Sequence, residues 1–125
     1  MARARRRGVA ERFVDSVGGD PGFGYAMAKL GVVRLAQRSA AGWARRGVRI
    51  NTVSPGSIET PMGRQELESQ PMMQAMLDQT PLRRLGHPGE VVAAVEFLLS
   101  DAASYVTGTD VLVDGGLVAT IHAGS

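Results

Sequence analysis

The sequence predicts an α/β fold built around a small parallel sheet. A long segment, Tyr25–Arg46, places apolar residues at helical spacing, and two short segments rich in β-branched residues, Val48–Ser54 and Asp110–Asp114, read as strands. Further helical segments separate the two strands, an order typical of parallel strands joined by helical crossovers. Because two strands do not make a stable sheet, we expect one end of a larger fold.

The first element is a loop followed by a long helix. The segment Val17–Gly24 contains four glycines and one proline, which predicts a loop. Within Tyr25–Arg46, Leu30 and Val33 begin an apolar and small-residue stripe at three- and four-residue spacing. Gly47 follows the helix at the position where a C-terminal cap is expected.

The second element is a strand that ends at a turn. Val48–Ser54 is bounded by Gly47 before it and by Pro55-Gly56 after it, and a proline cannot continue a central strand. Asn51 is interpreted as a hydrogen-bonded residue of this strand. Pro55-Gly56 alone is a turn signal, so a plain strand-ending turn is the alternative to a binding role.

The remaining elements complete the alternation. Two short helices, Glu66–Ser69 and Met72–Gln79, are predicted between prolines. A longer helix begins at Pro88 and extends to about Ala103, with an apolar stripe along one side. Gly115-Gly116 ends the strand Asp110–Asp114.

Composition excludes several classes of protein. The 125 residues include no cysteine, so there is no disulfide framework, and we expect a cytoplasmic protein. No apolar stretch is long enough to span a membrane, so we expect no membrane partner. Residues 1–49 hold eleven basic and three acidic side chains, whereas 50–125 hold three and nine. The Arg-rich segment 1–21 is interpreted as a solvated terminus; because it lacks interleaved aromatic residues, we expect no nucleic-acid partner.

Tyr25 and Lys29 are the first candidate catalytic pair. They stand four residues apart on the predicted helix and therefore share one face. A positive charge beside a phenol favours the phenolate, which would let a tyrosine act as general acid or base near neutral pH. Tyrosine and lysine are also common neighbours on helix surfaces, so the pair alone does not decide between the two interpretations.

Four ordered blocks make the chain resemble the short-chain dehydrogenase/reductase family. They are Tyr25-Ala26-Met27-Ala28-Lys29, the segment from Gly47 to Met62 with its Asn51-Thr52-Val53-Ser54-Pro55-Gly56, the segment from Pro81 to Ser100, and Val106-Thr107-Gly108 with Val111 to Gly116. The resemblance covers residues 22–118, with 1–21 as an N-terminal segment and loop and 119–125 as a tail. It implies part of a Rossmann-like, doubly wound parallel sheet.

The resemblance also implies an activity and a site. It implies hydride transfer between NAD or NADP and a small-molecule alcohol or ketone, with Tyr25 as acid/base and Lys29 on the nicotinamide ribose. It places Pro55, Gly56 and Ile58 at the nicotinamide and the Thr60 hydroxyl beside it. The predicted strand agrees, because ligands of open α/β sheets bind beyond the carboxyl ends of strands, and Gly56 would let a flat ring approach.

Two features of the family pattern are missing from the sequence. No glycine-rich phosphate loop precedes Tyr25, and the family's catalytic serine is expected near position 12, where the chain has Arg12. Ser16 is too close to Tyr25 for that spacing and is not assigned. We therefore expect a C-terminal half that lacks the N-terminal nucleotide-binding strands, from either a truncated gene product or a misassigned start.

Methionines are concentrated where the family has its substrate lid. Met62, Met72, Met73 and Met76 suit a bulky hydrophobic substrate, although ordinary packing of an amphipathic helix explains them too. His87 and His122 have no partners at metal-ligand spacing, so no metal site is predicted.

The family's assembly suggests a homo-oligomer. In this family the long helix, the last helix and the last strand build subunit interfaces. The alternative to an enzyme is therefore a non-catalytic dimerisation or interaction module derived from one.

Overall fold

The computed structural model describes residues 21–124 of the chain. The predictions for the Arg-rich segment, Ser16 and loop residues 17–20 lie outside the described residues. Over the described part the chain forms five α-helices, a short 3-10 turn and two strands. The α/β class predicted from the sequence is confirmed.

Helix α1 runs from Pro21 to Ala44. The prediction that Pro21–Gly24 belong to a loop is wrong, because the helix already includes them. Proline is well suited to the first helical position, where its missing N–H leaves no helical hydrogen bond unmade and its fixed φ is helical. The chain divides into two compact units, Met1–Leu35 and Ala36–Ser125, and the described part of the first unit is this helix.

The C-terminal end of α1 is capped by a glycine, as predicted. Gly47 has a φ of +75°, its N–H donates to the Ala44 carbonyl at 2.9 Å, and the Val48 N–H donates to the Trp43 carbonyl at 3.0 Å. This pair of bonds satisfies carbonyls that the helix end leaves open, and it needs the left-handed conformation that glycine adopts most easily. The helix ends at Ala44 rather than at Arg46 because the last residues form this turn.

Two parallel strands form the sheet of the second unit. Strand β1, Thr52–Pro55, pairs with β2, Asp110–Val113, so that Thr52 lies opposite Asp110 and Pro55 opposite Val113. The predicted parallel pairing is confirmed. Strand β1 begins later than the predicted Val48.

Hydrogen bonds explain why residues 48–51 lie outside the strand. The Ile50 N–H donates to the Thr107 hydroxyl at 3.1 Å, and the Asn51 side chain donates to the Val106 carbonyl at 3.0 Å and accepts from the Thr109 N–H at 3.2 Å. Side chains therefore make most of the cross-chain hydrogen bonds here, beside one backbone bond from the Gly108 N–H to the Ile50 carbonyl at 2.7 Å. Asn51 is hydrogen-bonded as expected, but it lies directly before the strand and not within it.

A carboxylate fixes the register of the two strands. Asp110 accepts hydrogen bonds from the Thr52 hydroxyl at 2.7 Å and from the Ser54 hydroxyl at 2.8 Å. All three side chains are half-buried on one face of the sheet. Sliding the strands by one residue would break both hydrogen bonds and place Asp110 on the other face.

Two short helices follow β1. Helix α2 spans Pro61–Ser69 and helix α3 spans Pro71–Gln79. Both were predicted, but α2 begins before the predicted Glu66. Its start is set by Thr60, whose hydroxyl accepts a hydrogen bond from the Gly63 N–H at 2.9 Å and caps the helix.

Helix α4 packs on the sheet. It runs from Pro88 to Leu99, contacts both strands, and is followed by a 3-10 turn, Asp101–Ala103. The prediction of a helix to about Ala103 is therefore corrected at its end. The Ser100 hydroxyl donates to the Phe97 carbonyl at 2.7 Å and satisfies a helix-end acceptor there.

A helix that the sequence did not predict closes the described chain. Helix α5, Leu117–Ala123, occupies most of the segment interpreted as a tail. The Asp114 carboxylate accepts from the N–H groups of Gly116 and Val118, at 2.9 Å each, and so pairs two N–H groups at the helix start.

The core of the second unit is small. Among the described residues, the buried apolar side chains are Ala36, Leu98, Ala103 and Leu117. Many large apolar side chains stay exposed, and Leu99 keeps 79% of its surface open. Across residues 21–124, none of the helices combines the length and the apolar character needed to cross a bilayer.

Candidate functional site

The first group of predicted site residues lies on α1. The Nζ atom of Lys29 lies 5.3 Å from the centre of the Tyr25 ring, so the two side chains meet as their spacing predicts. The Tyr25 side chain is 66% exposed. A phenol that is this open can exchange a proton with a molecule bound beside the helix.

The second group lies in the loop that follows β1. The strand ends at Pro55, and the Gly56 N–H donates to the Val113 carbonyl of β2 at 2.9 Å. A Cβ atom at Gly56 would lie 2.8 Å from Asp114 Cα, a contact that a side chain cannot make without moving the backbone. Glycine is therefore needed here because the ends of the two strands approach closely.

Backbone hydrogen bonds join this loop to Gly86. The Gly86 N–H donates to the Ser57 carbonyl at 2.9 Å, and the Glu59 N–H donates to the Gly86 carbonyl at 2.7 Å. Ile58 lies opposite Gly86 in this short parallel bridge. In a parallel bridge the central residue turns its own N–H to the other side, and among the described residues the Ile58 N–H has no hydrogen-bond partner.

Thr60 ends the loop. Its hydroxyl oxygen accepts from the Gly63 N–H, and its backbone N–H donates to the Ile58 carbonyl at 3.0 Å. A hydroxyl group has one proton and two lone pairs, so this capping bond leaves the Thr60 O–H free to donate. The loop therefore offers two donors, the Ile58 N–H and the Thr60 O–H.

Ion pairs surround the loop. The Glu59 carboxylate pairs with Arg64, and His87 Nδ1 lies 3.6 Å from the other Glu59 oxygen. The hydrogen bond and positive charge of Arg64, followed by the influence of His87, hold the pKa of Glu59 below its usual value. Glu59 is thereby kept as an anion that its own neighbours neutralise.

A second ion pair lies at the start of α4. The Arg84 guanidinium donates to both Glu90 oxygens, at 2.7 and 2.9 Å, and the His87 N–H donates to the same carboxylate at 2.7 Å. These hydrogen bonds lower the pKa of Glu90 to about 2. The hydrogen bonding from Arg84 has the largest effect, and the bond from the His87 N–H comes second. The same ion pair raises the pKa of Arg84. This pair fixes the segment that carries Gly86.

Only some of the methionines of the predicted lid lie beside the loop. Met62 and Met73 line a pocket of about 190 Å³ together with Gly56, Ile58 and Thr60. Met72 and Met76 do not line it, and Met72 is 74% exposed. Two of the four methionines are therefore placed beside the loop.

Sequence reasoning missed the partners of the loop. Gly86, Arg64 and Glu66 were not singled out, although Gly86 pairs with Ile58 and Glu66 lines the pocket. Gly86 stands two residues before the predicted start of α4, but nothing local to it indicates a partner at position 58. In the part of the chain that the structure describes, no three His, Cys, Asp or Glu side chains are grouped so that they could hold a metal ion.

Comparison with known proteins gives a consistent result. The family model described as enoyl-(acyl carrier protein) reductase matches residues 12–118. A tropinone reductase homolog of Arabidopsis thaliana is 43% identical over 84% of this chain, and an L-rhamnose 1-dehydrogenase (NAD(P)(+)) of Sphingomonas sp. is 40% identical over 85% of it. The solved structure of 4-hydroxyisoleucine dehydrogenase complexed with NADH superimposes with a TM-score of 0.68 at 30% identity over 77% of this chain.

The matches cover only part of each relative. The chain spans 36% of the Arabidopsis protein, 42% of the Sphingomonas protein and 40% of the solved chain. The residues matched by the family model, 12–118, include both groups of site residues described above. The remaining part of each relative has no counterpart in the matched region.

Proposed function

The chain belongs to the short-chain dehydrogenase/reductase family, and from this membership we propose that it carries the acid/base half of an NAD- or NADP-dependent oxidoreductase acting on an alcohol or ketone. The observation that supports this most is the placement of the Lys29 ammonium 5.3 Å from the centre of the Tyr25 ring on one exposed helix face. The fold is the matching part of the family's Rossmann-like sheet.

Tyr25 and Lys29 would handle the proton. In ketone reduction the Tyr25 hydroxyl gives its proton to the carbonyl oxygen while a hydride reaches the carbonyl carbon, and in alcohol oxidation the proton returns to the phenolate. Lys29 stabilises that phenolate by its positive charge and binds the nicotinamide ribose. The loop residues do not take part in this proton transfer.

The loop after β1 fits the nicotinamide end of the cofactor. The carboxamide oxygen of nicotinamide has two lone pairs, and the loop offers it two donors, the Ile58 N–H and the Thr60 O–H. Pro55 and Gly56 would lie against the ring. When bound, the cofactor supplies the hydride-transfer chemistry, and these residues orient its nicotinamide.

Cofactor binding by the chain alone should be weak. The sequence has no glycine-rich phosphate loop before Tyr25, and such a loop with its helix N-terminus normally supplies the pyrophosphate contacts. We therefore expect calorimetry with NAD and NADP to give dissociation constants well above the low-micromolar range. A low-micromolar value would contradict this assignment of the cofactor contacts.

The activity is tested in a chimera that supplies the missing contacts. We would place this chain after the nucleotide-binding part of the Arabidopsis homolog, whose matched region is 43% identical. Ketone-dependent oxidation of the reduced cofactor, followed by absorbance, is expected. A chimera that folds and binds cofactor but oxidises none of it with any ketone of a broad panel would refute the proposal.

Met62 and Met73 are proposed as the lid residues that contact substrate. They line the pocket beside Ile58 and Thr60, and their flexible apolar side chains suit an apolar substrate body. Met72 and Met76 remain part of the proposed lid segment without a contact to this pocket. Truncating Met73 to Ala should then raise the KM of the chimera for its ketone more than truncating Met72 does.

Self-association is proposed from the exposed apolar residues of α4. Val92, Phe97 and Leu99 are 52%, 49% and 79% exposed, and each strand of the described sheet has an unpaired edge. Surfaces of this kind are usually covered by another chain. Light scattering should therefore show a homo-oligomer, and a monodisperse monomer with a cooperative thermal transition would contradict this.

The same exposed surface supports the second candidate function, a non-catalytic interaction module. A module would bind a related full-length chain and would show no cofactor-induced change in calorimetry. An enzyme half would show weak binding of the nicotinamide end.

The expected cytoplasmic location stays a prediction, for which cell fractionation is the test.

A further inference from the structure

The loop after β1 is held in place by a neighbouring segment, residues 84–87. The Gly86 N–H donates to the Ser57 carbonyl at 2.9 Å, and the Gly86 carbonyl accepts from the Glu59 N–H at 2.7 Å. These two bonds hold Ile58 from both sides and leave its own N–H turned away from the bridge. The direction of the Ile58 N–H therefore depends on where Gly86 lies.

The position of Gly86 is fixed in turn by the carboxylate of Glu90. One Glu90 oxygen accepts from the N–H of His87, directly after Gly86, and both oxygens accept from the Arg84 guanidinium. The guanidinium also donates to the carbonyl of Leu85, directly before Gly86, at 3.0 Å. The ion pair therefore holds the backbone on both sides of Gly86.

Gly86 also packs directly against the residue whose N–H it orients. A Cβ atom at position 86 would lie 2.9 Å from Ile58 Cδ1, which is too close for two carbon atoms. It would lie at ordinary contact distance, 3.7 Å, from a Glu90 oxygen. A side chain at position 86 would therefore displace Ile58 rather than Glu90.

We propose that Glu90 is a positioning residue for the cofactor, which acts through Arg84 and Gly86 to direct the Ile58 N–H toward the carboxamide oxygen of the nicotinamide. The inference rests on the proposed function, because that function places the nicotinamide against this loop. In this role Glu90 contacts neither cofactor nor substrate. Without its carboxylate the segment around Gly86 can shift, and the hydrogen bond from Ile58 weakens because its strength depends steeply on alignment.

The test uses two forms of the reduced cofactor that differ in one atom. NADH carries a carboxamide oxygen, and thio-NADH carries a sulfur atom in its place, which is a weaker acceptor. The isotope-labelled full chain is titrated with each, and the NMR signal of the Ile58 amide gives the dissociation constant even when binding is weak. We expect the unaltered chain to bind NADH at least about threefold more tightly, because a hydrogen bond to the better acceptor is worth about that much.

Two variants of α4 locate the effect. Glu90→Ala should make the two affinities equal, whereas Glu96→Ala should keep the preference for NADH. Glu96 is exposed on the same helix and has no ion pair among residues 21–124. A carboxylate that only stabilised the fold would affect both affinities alike, so an unchanged ratio in Glu90→Ala would overturn the inference.

Gly86→Ala tests the same connection if Glu90→Ala fails to fold. The new Cβ should displace Ile58 and remove the preference for NADH. Adding Ile58→Val deletes the Cδ1 atom that the new Cβ meets but keeps the backbone N–H, so the double variant should regain the preference. Full preference in Gly86→Ala, or none in the double variant, would contradict the inference.

This test is separate from the test of the activity, because it requires no hydride transfer. A preference that is lost in Glu90→Ala, together with a chimera that oxidises no cofactor, would leave the inference standing and refute the proposed function. Turnover by the chimera together with an unchanged ratio in Glu90→Ala would do the opposite. Equal affinities in the unaltered chain would overturn the carboxamide contact and the inference with it.

Discussion

Lys29 places its ammonium group 5.3 Å from the centre of the Tyr25 ring, one helical turn away on α1. This distance is within the range of a cation–π contact, which at an exposed site is worth about 0.5–1 kcal/mol. The contact therefore orients the lysine over the tyrosine without adding much to stability. Changes at these two residues should consequently affect function more than folding.

Replacing Tyr25 with phenylalanine should abolish most of the turnover of the chimera. The ring and its contact with Lys29 remain, but the hydroxyl that exchanges the proton is lost, so the rate should fall by about 10² to 10⁴. Cofactor affinity should change little. Steady-state kinetics measures the first quantity and calorimetry the second.

Tyr105 supplies the control for that experiment. It is fully exposed in the turn after α4, and Tyr105→Phe should leave turnover unchanged. If Tyr25→Phe retained more than about half of the parent rate while chemistry is rate-limiting, the assignment of Tyr25 would be wrong, since general acid/base catalysis contributes far more than twofold.

Replacing Lys29 with methionine should act on cofactor binding as well as on turnover. The change removes the positive charge beside the phenol and the proposed hydrogen bond to the ribose. We expect a higher dissociation constant for the cofactor and a loss of stability of at most about 1 kcal/mol. Arg45→Met, at an exposed residue in the turn directly after α1, is the matched control and should change neither quantity.

Local features of the fold could be predicted from the sequence. The Gly47 cap, the helical stripe of α1 and the proline at the start of α4 depend on residues close together in the chain, and each is observed. The start of α1 was missed because Pro21 stands among glycines that suggest a loop, although proline also begins helices. Proline occurs both in loops and at the starts of helices, so the surrounding structure decides which of the two forms.

Long-range partners of the site could not be predicted. The Ile58–Gly86 bridge and the engagement of Arg64 by Glu59 depend on how the loop folds back, which no local pattern encodes. Gly56 illustrates the difference. From the sequence, a glycine at this position is explained by the close approach of the flat nicotinamide ring. The structure shows that the backbone of Asp114 already leaves no room for a Cβ atom there.

Replacing Gly56 with alanine should therefore destabilise the fold even without cofactor. The new Cβ would lie 2.8 Å from Asp114 Cα, a backbone atom that cannot rotate away, so the ends of the two strands must separate. Overpacking of this kind costs about 1–3 kcal/mol. Chemical denaturation should show a lower midpoint.

Gly89→Ala is the control for this prediction. A Cβ atom there meets nothing within 4 Å, and the position lies in the first turn of α4. Its stability should stay the same or rise, because alanine is the better helix former. Equal stabilities of the Gly56→Ala and Gly89→Ala variants would show that the strand ends are not in close contact.

The Arg84–Glu90 pair predicts how stability depends on acid. The pKa of Glu90 is lowered from the ordinary value of 4.5 to about 2 in the folded chain. The contribution of Glu90 to stability is therefore present above 4.5 and is lost as the pH falls through about 2. Thermal unfolding measured from neutral pH down to about pH 2 should show a steeper loss of stability for the unaltered chain than for Glu90→Gln, which has no proton to take up at this position.

Glu96→Gln is the control for this prediction. Glu96 lies on the same helix and has no ion pair among residues 21–124, so this variant should keep the steep dependence of stability on pH. If Glu90→Gln followed the same acid dependence as the unaltered chain, the ion pair that holds the segment around Gly86 would not exist in solution.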